Sequence, residues 1–138
     1  KLNHAFVTLH VGLGTFRPIK TPDFRDHPMH EERYEIGAGL AEKITSAKRV
    51  IAVGTTSARV LESAPHLQPH SGTTAAFIYP PYEFKRIQAL LTNVHLPHST
   101  LLLLVAAFAG PQLALRAYEH AIREKYRFFS YGDAMLIL

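Results

Sequence analysis

Residues 101–109, Leu-Leu-Leu-Leu-Val-Ala-Ala-Phe-Ala, are apolar without interruption. Coiled as a helix, such a stretch has no polar face to turn toward water, so it belongs at the centre of a folded core. Its flanks suit a short helix: Ser99 offers an N-cap hydroxyl, Gly110 a stop, and Pro111 the first turn of a second helix. The run is far shorter than the ~20 apolar residues a bilayer crossing needs, and the first residues do not have the form of a signal peptide. No membrane is expected as a partner.

The remaining segments supply layers for that helix. Residues 5–11 alternate as a strand does and end at Gly12-Leu13-Gly14, 16–28 read as an ordered loop rich in proline and charge, and 30–36 as a short strand. Residues 37–48 place Leu40, Ala41, Ile44 and Ala47 at helical spacing ahead of a buried strand at 50–53. Gly54-Thr55-Thr56-Ser57 closes this strand and opens a helix to residue 63. A polar stretch, 66–74, reads as a loop. Strands are expected at 76–79, stopped by Pro80-Pro81, at 90–95 and at 134–138. The last helix, 111–126, is expected to turn Leu113, Ala117, Ala121 and Ile122 inward and to pair Glu119 with Arg123.

Strands alternating with helices imply an α/β fold, layered or barrel-like. At 138 residues the chain has the length of one domain, and it starts and finishes on apolar strands, as a piece of a larger two-domain protein would. There is no cysteine, which excludes disulfides and thiolate metal sites and suits a reducing cytoplasm. A net charge of +4 gives a mild attraction to polyanions, but the basic residues are scattered, so charge alone names no partner. The histidines of His27-Pro28-Met29-His30 lack a spacing that would make both rings converge, and no metal is expected.

Four segments are more polar than a fold alone requires. In Leu9-His10-Val11-Gly12-Leu13-Gly14-Thr15-Phe16 a strand runs into a turn where Gly12 and Gly14 would let a ligand approach the backbone, and His10 has the chemistry to move a proton near neutral pH. A tight structural turn would look the same. Val53-Gly54-Thr55-Thr56-Ser57-Ala58-Arg59 sets three hydroxyls at a helix N-terminus, fit either for a carboxylate or phosphate or for plain capping. In Thr92-Asn93-Val94-His95-Leu96-Pro97, Asn93 and His95 share one face of a strand end, where open α/β sheets hold ligands; the same side chains would also serve to tie down the Pro97 turn. Tyr126-Arg127-Phe128-Phe129-Ser130-Tyr131-Gly132-Asp133-Ala134-Met135 interleaves rings with charge, as a base-stacking surface or a core cluster does.

Taken together and in this order, the four segments resemble the C-terminal signatures of the S-adenosylmethionine:tRNA ribosyltransferase-isomerase family of queuosine biosynthesis. Met29-His30-Glu31-Glu32-Arg33-Tyr34-Glu35 and Phe77-Ile78-Tyr79-Pro80 fall between them in matching places. Residues 1–138 are covered, mainly as the family's α/β domain, while its N-terminal portion has no counterpart. Pro81 stands where the family usually has glycine, Val94 where it has phenylalanine, and His98 where a charged residue is common.

The resemblance implies transfer and isomerisation of the ribosyl group of S-adenosylmethionine onto 7-aminomethyl-7-deazaguanine in tRNA, giving epoxyqueuosine and releasing adenine and methionine. S-adenosylmethionine is then a consumed substrate and no cofactor is implied; tRNA is the partner, the cytoplasm the location, and a monomer the state of the full-length protein. Carried onto this chain, the proton transfers fall to His10 and His95, with Asp133 third. Thr55, Thr56 and Ser57 would receive the methionine carboxylate or a phosphate, Asn93 would contact adenine, Arg59 and Arg127 are candidate anion contacts, and Gly12, Gly14 and Tyr131 would line the substrate. The alternative is a fragment that binds S-adenosylmethionine or RNA without turnover. Either way, the fold is expected to gather these stretches around one cavity.

Overall fold

The computed structural model describes residues 3–138. Along them run β1 (Val7–Leu9), β2 (Glu32–Ile36), α1 (Leu40–Ser46), β3 (Ile51–Val53), α2 (Thr55–Ser63), β4 (His70–Thr74), β5 (Ala89–Asn93), α3 (Thr100–Ala109), α4 (Pro111–Arg123) and β6 (Ala134–Ile137). Short 3-10 turns occupy Leu13–Phe16, Phe24–Asp26 and Phe129–Tyr131. The architecture is α/β with two three-stranded sheets, ordered β1-β2-β4 and β3-β5-β6. The first is antiparallel throughout; in the second, β3 and β5 are parallel and β6 is antiparallel to β5.

Helix α2 is the hub. Ala58, Arg59, Val60 and Leu61 are all buried, and consecutive residues point in different directions around a helix, so α2 is enclosed on every side. It touches β1 of one sheet and both β3 and β5 of the other. Its surroundings form the main core, with Tyr34 and Ile36 from β2, Leu40 from α1, Ala52 and Leu90 from the second sheet, and Leu104 from α3. A second cluster joins Val94 and Val105 to Ala114, Tyr118 and Ala121.

As its composition requires, α3 has no exposed residue, and Ser99 caps it by accepting the Leu102 N–H at 3.1 Å. Among the described residues no single helix is long and apolar enough to cross a membrane.

The fold departs from sequence expectation in five places, the first being β3, read as a buried strand but burying only Ala52. Residues 70–74, read as loop, form β4: a polar strand held by its partner, since Tyr34 lies opposite Gly72 and fills the space a side chain there would need. Residues 76–79 form no ladder. Ile78 is buried and Phe77 and Tyr79 pack edge-to-face against Phe24, so side-chain packing there replaces strand pairing. The buried stripe of α4 is Ala114, Tyr118 and Ala121, while Leu113 and Ile122 are exposed. The small residues let α4 lie close against α3, and the tyrosine reaches into the cluster. Arg123 pairs with Glu124 at 3.1 Å and donates to His120, instead of meeting Glu119.

The second sheet has one apolar face that stays open. Val53, Leu91 and Leu136 are register neighbours across β3, β5 and β6, and all three are exposed, as is Ile51 two residues before Val53.

Candidate functional site at the strand ends

Because β3 and β5 run parallel, the turns that follow them emerge at the same edge of the sheet. After β3 the chain turns at Gly54, whose φ of 89° is open to glycine and costly for other residues, and whose N–H donates to the Leu91 carbonyl at 2.8 Å. Thr55 then begins α2. The Ser57 hydroxyl is spent on the Val53 carbonyl at 2.9 Å. The hydroxyls of Thr55, which is buried, and of Thr56, which is half-buried, make no hydrogen bond among the described residues and sit at the positive end of the helix dipole.

After β5, Asn93 donates from Nδ2 to the Asp133 carbonyl at 3.3 Å, and the Phe129 N–H donates to the Val94 carbonyl at 3.0 Å. These bonds fasten the C-terminal motif beside the Asn93–His95 edge. His95 is buried; its Nε2 lies 2.9 Å from Thr92 Oγ1 and its backbone N–H donates to the Tyr118 hydroxyl at 2.9 Å. Burial disfavours the imidazolium and lowers the pKa of His95 to about 4. At neutral pH the ring is therefore uncharged and only weakly basic. The Asp133 carboxylate accepts the Arg127 N–H at 2.5 Å and lies 3.3 Å from its Nε, contacts that hold it below the usual carboxylate range. Tyr131 stands mostly in solvent.

The glycine turn is anchored from below. Glu32 Oε1 accepts the Gly12 N–H at 2.8 Å and the Thr15 hydroxyl at 2.6 Å, and Glu32 Oε2 lies 2.5 Å from Arg59 Nη2. Arg59 also donates to Thr15 Oγ1 at 3.3 Å, and the Thr100 hydroxyl donates to the Thr15 carbonyl at 3.4 Å. The two charged side chains are 4% and 2% exposed. Burial alone would raise the Glu32 pKa; the Thr15 hydroxyl, the Gly12 N–H and Arg59 outweigh it and leave it lowered. Arg59, expected as a contact for a substrate anion, has its guanidinium committed to Glu32 inside the protein. At Gly14 a Cβ would strike the His30 ring.

The fold thus brings the threonine turn beside the Asn93 edge, joins that edge to Asp133 and Arg127, and ties Gly12 through Glu32 and Arg59 to α2. His10 goes elsewhere: its exposed ring lies on the outer face of β1-β2-β4, with Nε2 3.6 Å from Glu35 Oε1. Among the described residues no hydrogen bond or ion pair links His10 to His95. Two surface grooves, of about 400 and 270 Å³, flank β1, and neither is lined by the strand-end residues. Glu32 and Thr15 lie within segments quoted from the sequence, but no site role is expected of either there. Strand alternation carries a signal for the first, since Glu32 falls on the same side of β2 as Tyr34 and Ile36 and so needs a buried partner.

The family described as queuosine biosynthesis protein matches residues 1–137. A protein of Natranaerobius thermophilus named S-adenosylmethionine:tRNA ribosyltransferase-isomerase is 57% identical over 141 residues, covering 96% of this chain and 41% of the relative. One of Syntrophus aciditrophicus bearing the same name is 60% identical over 136 residues, with coverage of 96% and 38%. The crystal structure of the S-adenosylmethionine tRNA ribosyltransferase from Thermotoga maritima superposes with a TM-score of 0.73 at 49% identity, over 78% of this chain and 41% of that one. This chain belongs to the queuosine biosynthesis protein family. It spans about two fifths of the length of the relatives it matches.

Proposed function

We propose that this chain is the C-terminal part, mainly the α/β domain, of an S-adenosylmethionine:tRNA ribosyltransferase-isomerase. The whole protein moves the ribosyl group of S-adenosylmethionine onto 7-aminomethyl-7-deazaguanine in tRNA, giving epoxyqueuosine with release of adenine and methionine. The observation that carries this reading is the meeting, at one sheet edge, of the Thr55-Thr56 turn with Asn93 and the C-terminal motif. The names of relatives 57% and 60% identical across this same stretch support it.

In this reading the threonine turn receives the methionine carboxylate at the α2 N-terminus, and Asn93 reads the adenine edge. The sulfonium acidifies the ribose carbon beside it; a base removes that proton, an acid protonates departing adenine, and the substrate amine attacks the sugar and gives up a proton. The carbon–sulfur bond breaks to release methionine as a sugar oxygen closes the epoxide. His95 and Asp133 are both unprotonated at neutral pH and are the candidates for these proton transfers, with neither assigned as acid or base. His10 joins the chemistry if the substrate reaches the outer face of β1. S-adenosylmethionine is consumed, no further cofactor is needed, and the protein acts as a cytoplasmic monomer.

The two-fifths span favours a second reading, in which these residues bind S-adenosylmethionine or tRNA as one part of a composite site. Incubating the 138-residue chain and the full-length protein with substrate tRNA and labelled S-adenosylmethionine separates the two. Adenine release by the full-length protein alone supports the composite site; release by neither ends the enzyme reading. Single-turnover rates unchanged in both His10→Ala and His95→Ala would remove the histidines from the mechanism.

A further inference from the structure

Glu32 and Arg59 form an ion pair sealed from solvent, at 2% and 4% side-chain exposure. Burying two charges costs about as much as their attraction returns, so fold stability alone gives little reason for such a pair. Its hydrogen bonds give a better one. Glu32 Oε1 is the shared acceptor for the Gly12 N–H and the Thr15 hydroxyl, and Arg59 belongs to α2, the helix that begins at the threonine turn. Through Thr15 the same network reaches Thr100 at the start of α3. Four elements are thereby locked in one arrangement: the glycine turn, β2, α2 and α3.

From this geometry we infer that Glu32 and Arg59 are positioning residues, which hold the Gly12–Thr15 turn in register with the threonine turn so that both face one substrate. The inference rests on the ribosyltransferase reading. Neither side chain touches substrate; the pair acts through the backbone of the turn and through α2. A misplacement of about 1 Å in a substrate-holding segment is enough to cost on the order of 100-fold in rate.

The test uses the full-length protein and two double variants. Glu32→Gln with Arg59→Met removes both charges but keeps a side-chain oxygen to accept from Gly12 and Thr15. Glu32→Met with Arg59→Met removes the charges and the acceptor. Each is assayed for ribosyl transfer at a temperature where circular dichroism shows it fully folded, with kcat and KM for S-adenosylmethionine determined separately. The Gln/Met variant, which keeps the acceptor for the turn but loses the Arg59 link to α2, is expected to fall about 3- to 10-fold in kcat, and the Met/Met variant about 10- to 100-fold. Equal kcat in both folded doubles and the parent would mean the pair serves folding alone and would overturn the inference. Should either double fail to fold, Thr15→Val, which removes one of the two anchors of the turn, is measured in its place with the same fall in kcat expected. An inactive parent protein would instead count against the ribosyltransferase reading.

Discussion

The Thr92 hydroxyl lies 2.9 Å from His95 Nε2, and both side chains are buried. A histidine held this way is neutral in the folded protein but free to charge in the unfolded chain. Its folded pKa of about 4 is below the ordinary 6.5, so the unfolded state binds the proton first and stability falls as pH drops from 6.5 toward 4. The gap is worth on the order of 3 kcal/mol. Urea denaturation at pH 7.5 and pH 4.5 measures it, and His95→Gln should remove most of the difference.

Glu32 acts in a lower window. Its folded pKa is depressed, so its contribution is present above the ordinary glutamate value of 4.5 and is lost as pH falls through the folded value. Replacing Arg59 by methionine alone leaves the Glu32 carboxylate buried without its partner and should destabilise by about 3–5 kcal/mol. A single substitution that shifts the urea midpoint no more than a surface mutation does would contradict this.

Glu62 accepts three backbone N–H groups, from Lys85 at 2.9 Å, Arg86 at 2.9 Å and Ile87 at 3.1 Å, while Arg86 donates to the Leu61 and Ala64 carbonyls at the end of α2. This crossed pair fastens residues 85–87 to the helix. Glu62→Ala is expected to lose about 2 kcal/mol, with Glu62→Gln intermediate because its carbonyl oxygen still accepts. Thermal unfolding of the three proteins gives the order.

Gly54→Ala tests the turn itself. At φ 89° and ψ 145° an added Cβ has free space but a forbidden backbone, so the cost is conformational, about 1–3 kcal/mol. Gly37→Ala is the control: its Cβ would also meet nothing within 4 Å, and its φ lies outside the left-handed region. Its stability should change by less than ~0.5 kcal/mol.

The parts of the fold legible in the sequence are those where one local signal decides the outcome. The apolar run that becomes α3 and the Val53-Gly54-Thr55 transition from β3 to α2 are of this kind, because periodicity and glycine chemistry act within a few residues. β4 was not legible. Its His-Ser-Gly-Thr-Thr sequence has no strand preference of its own and pairs because Tyr34 needs the space above Gly72. The face of α4 was misread for a related reason: large apolar residues such as Leu115 and Ile122 lie outward, and alanines make the close contact. At the site, the hydroxyls and Asn93 are legible in the sequence as polar residues at strand ends. That Arg59 pairs with Glu32 follows only from the packing of β2 against α2, 27 residues apart in sequence numbering and joined by nothing local.

One consequence follows from the row of Val53, Leu91 and Leu136 across the second sheet, 65%, 36% and 55% exposed. Sheets with parallel strands ordinarily hide both faces, and this one hides only the side toward α2. By itself the 138-residue chain therefore presents water with a greasy plate, and light scattering from its solutions should climb with concentration until something apolar lies over those leucines.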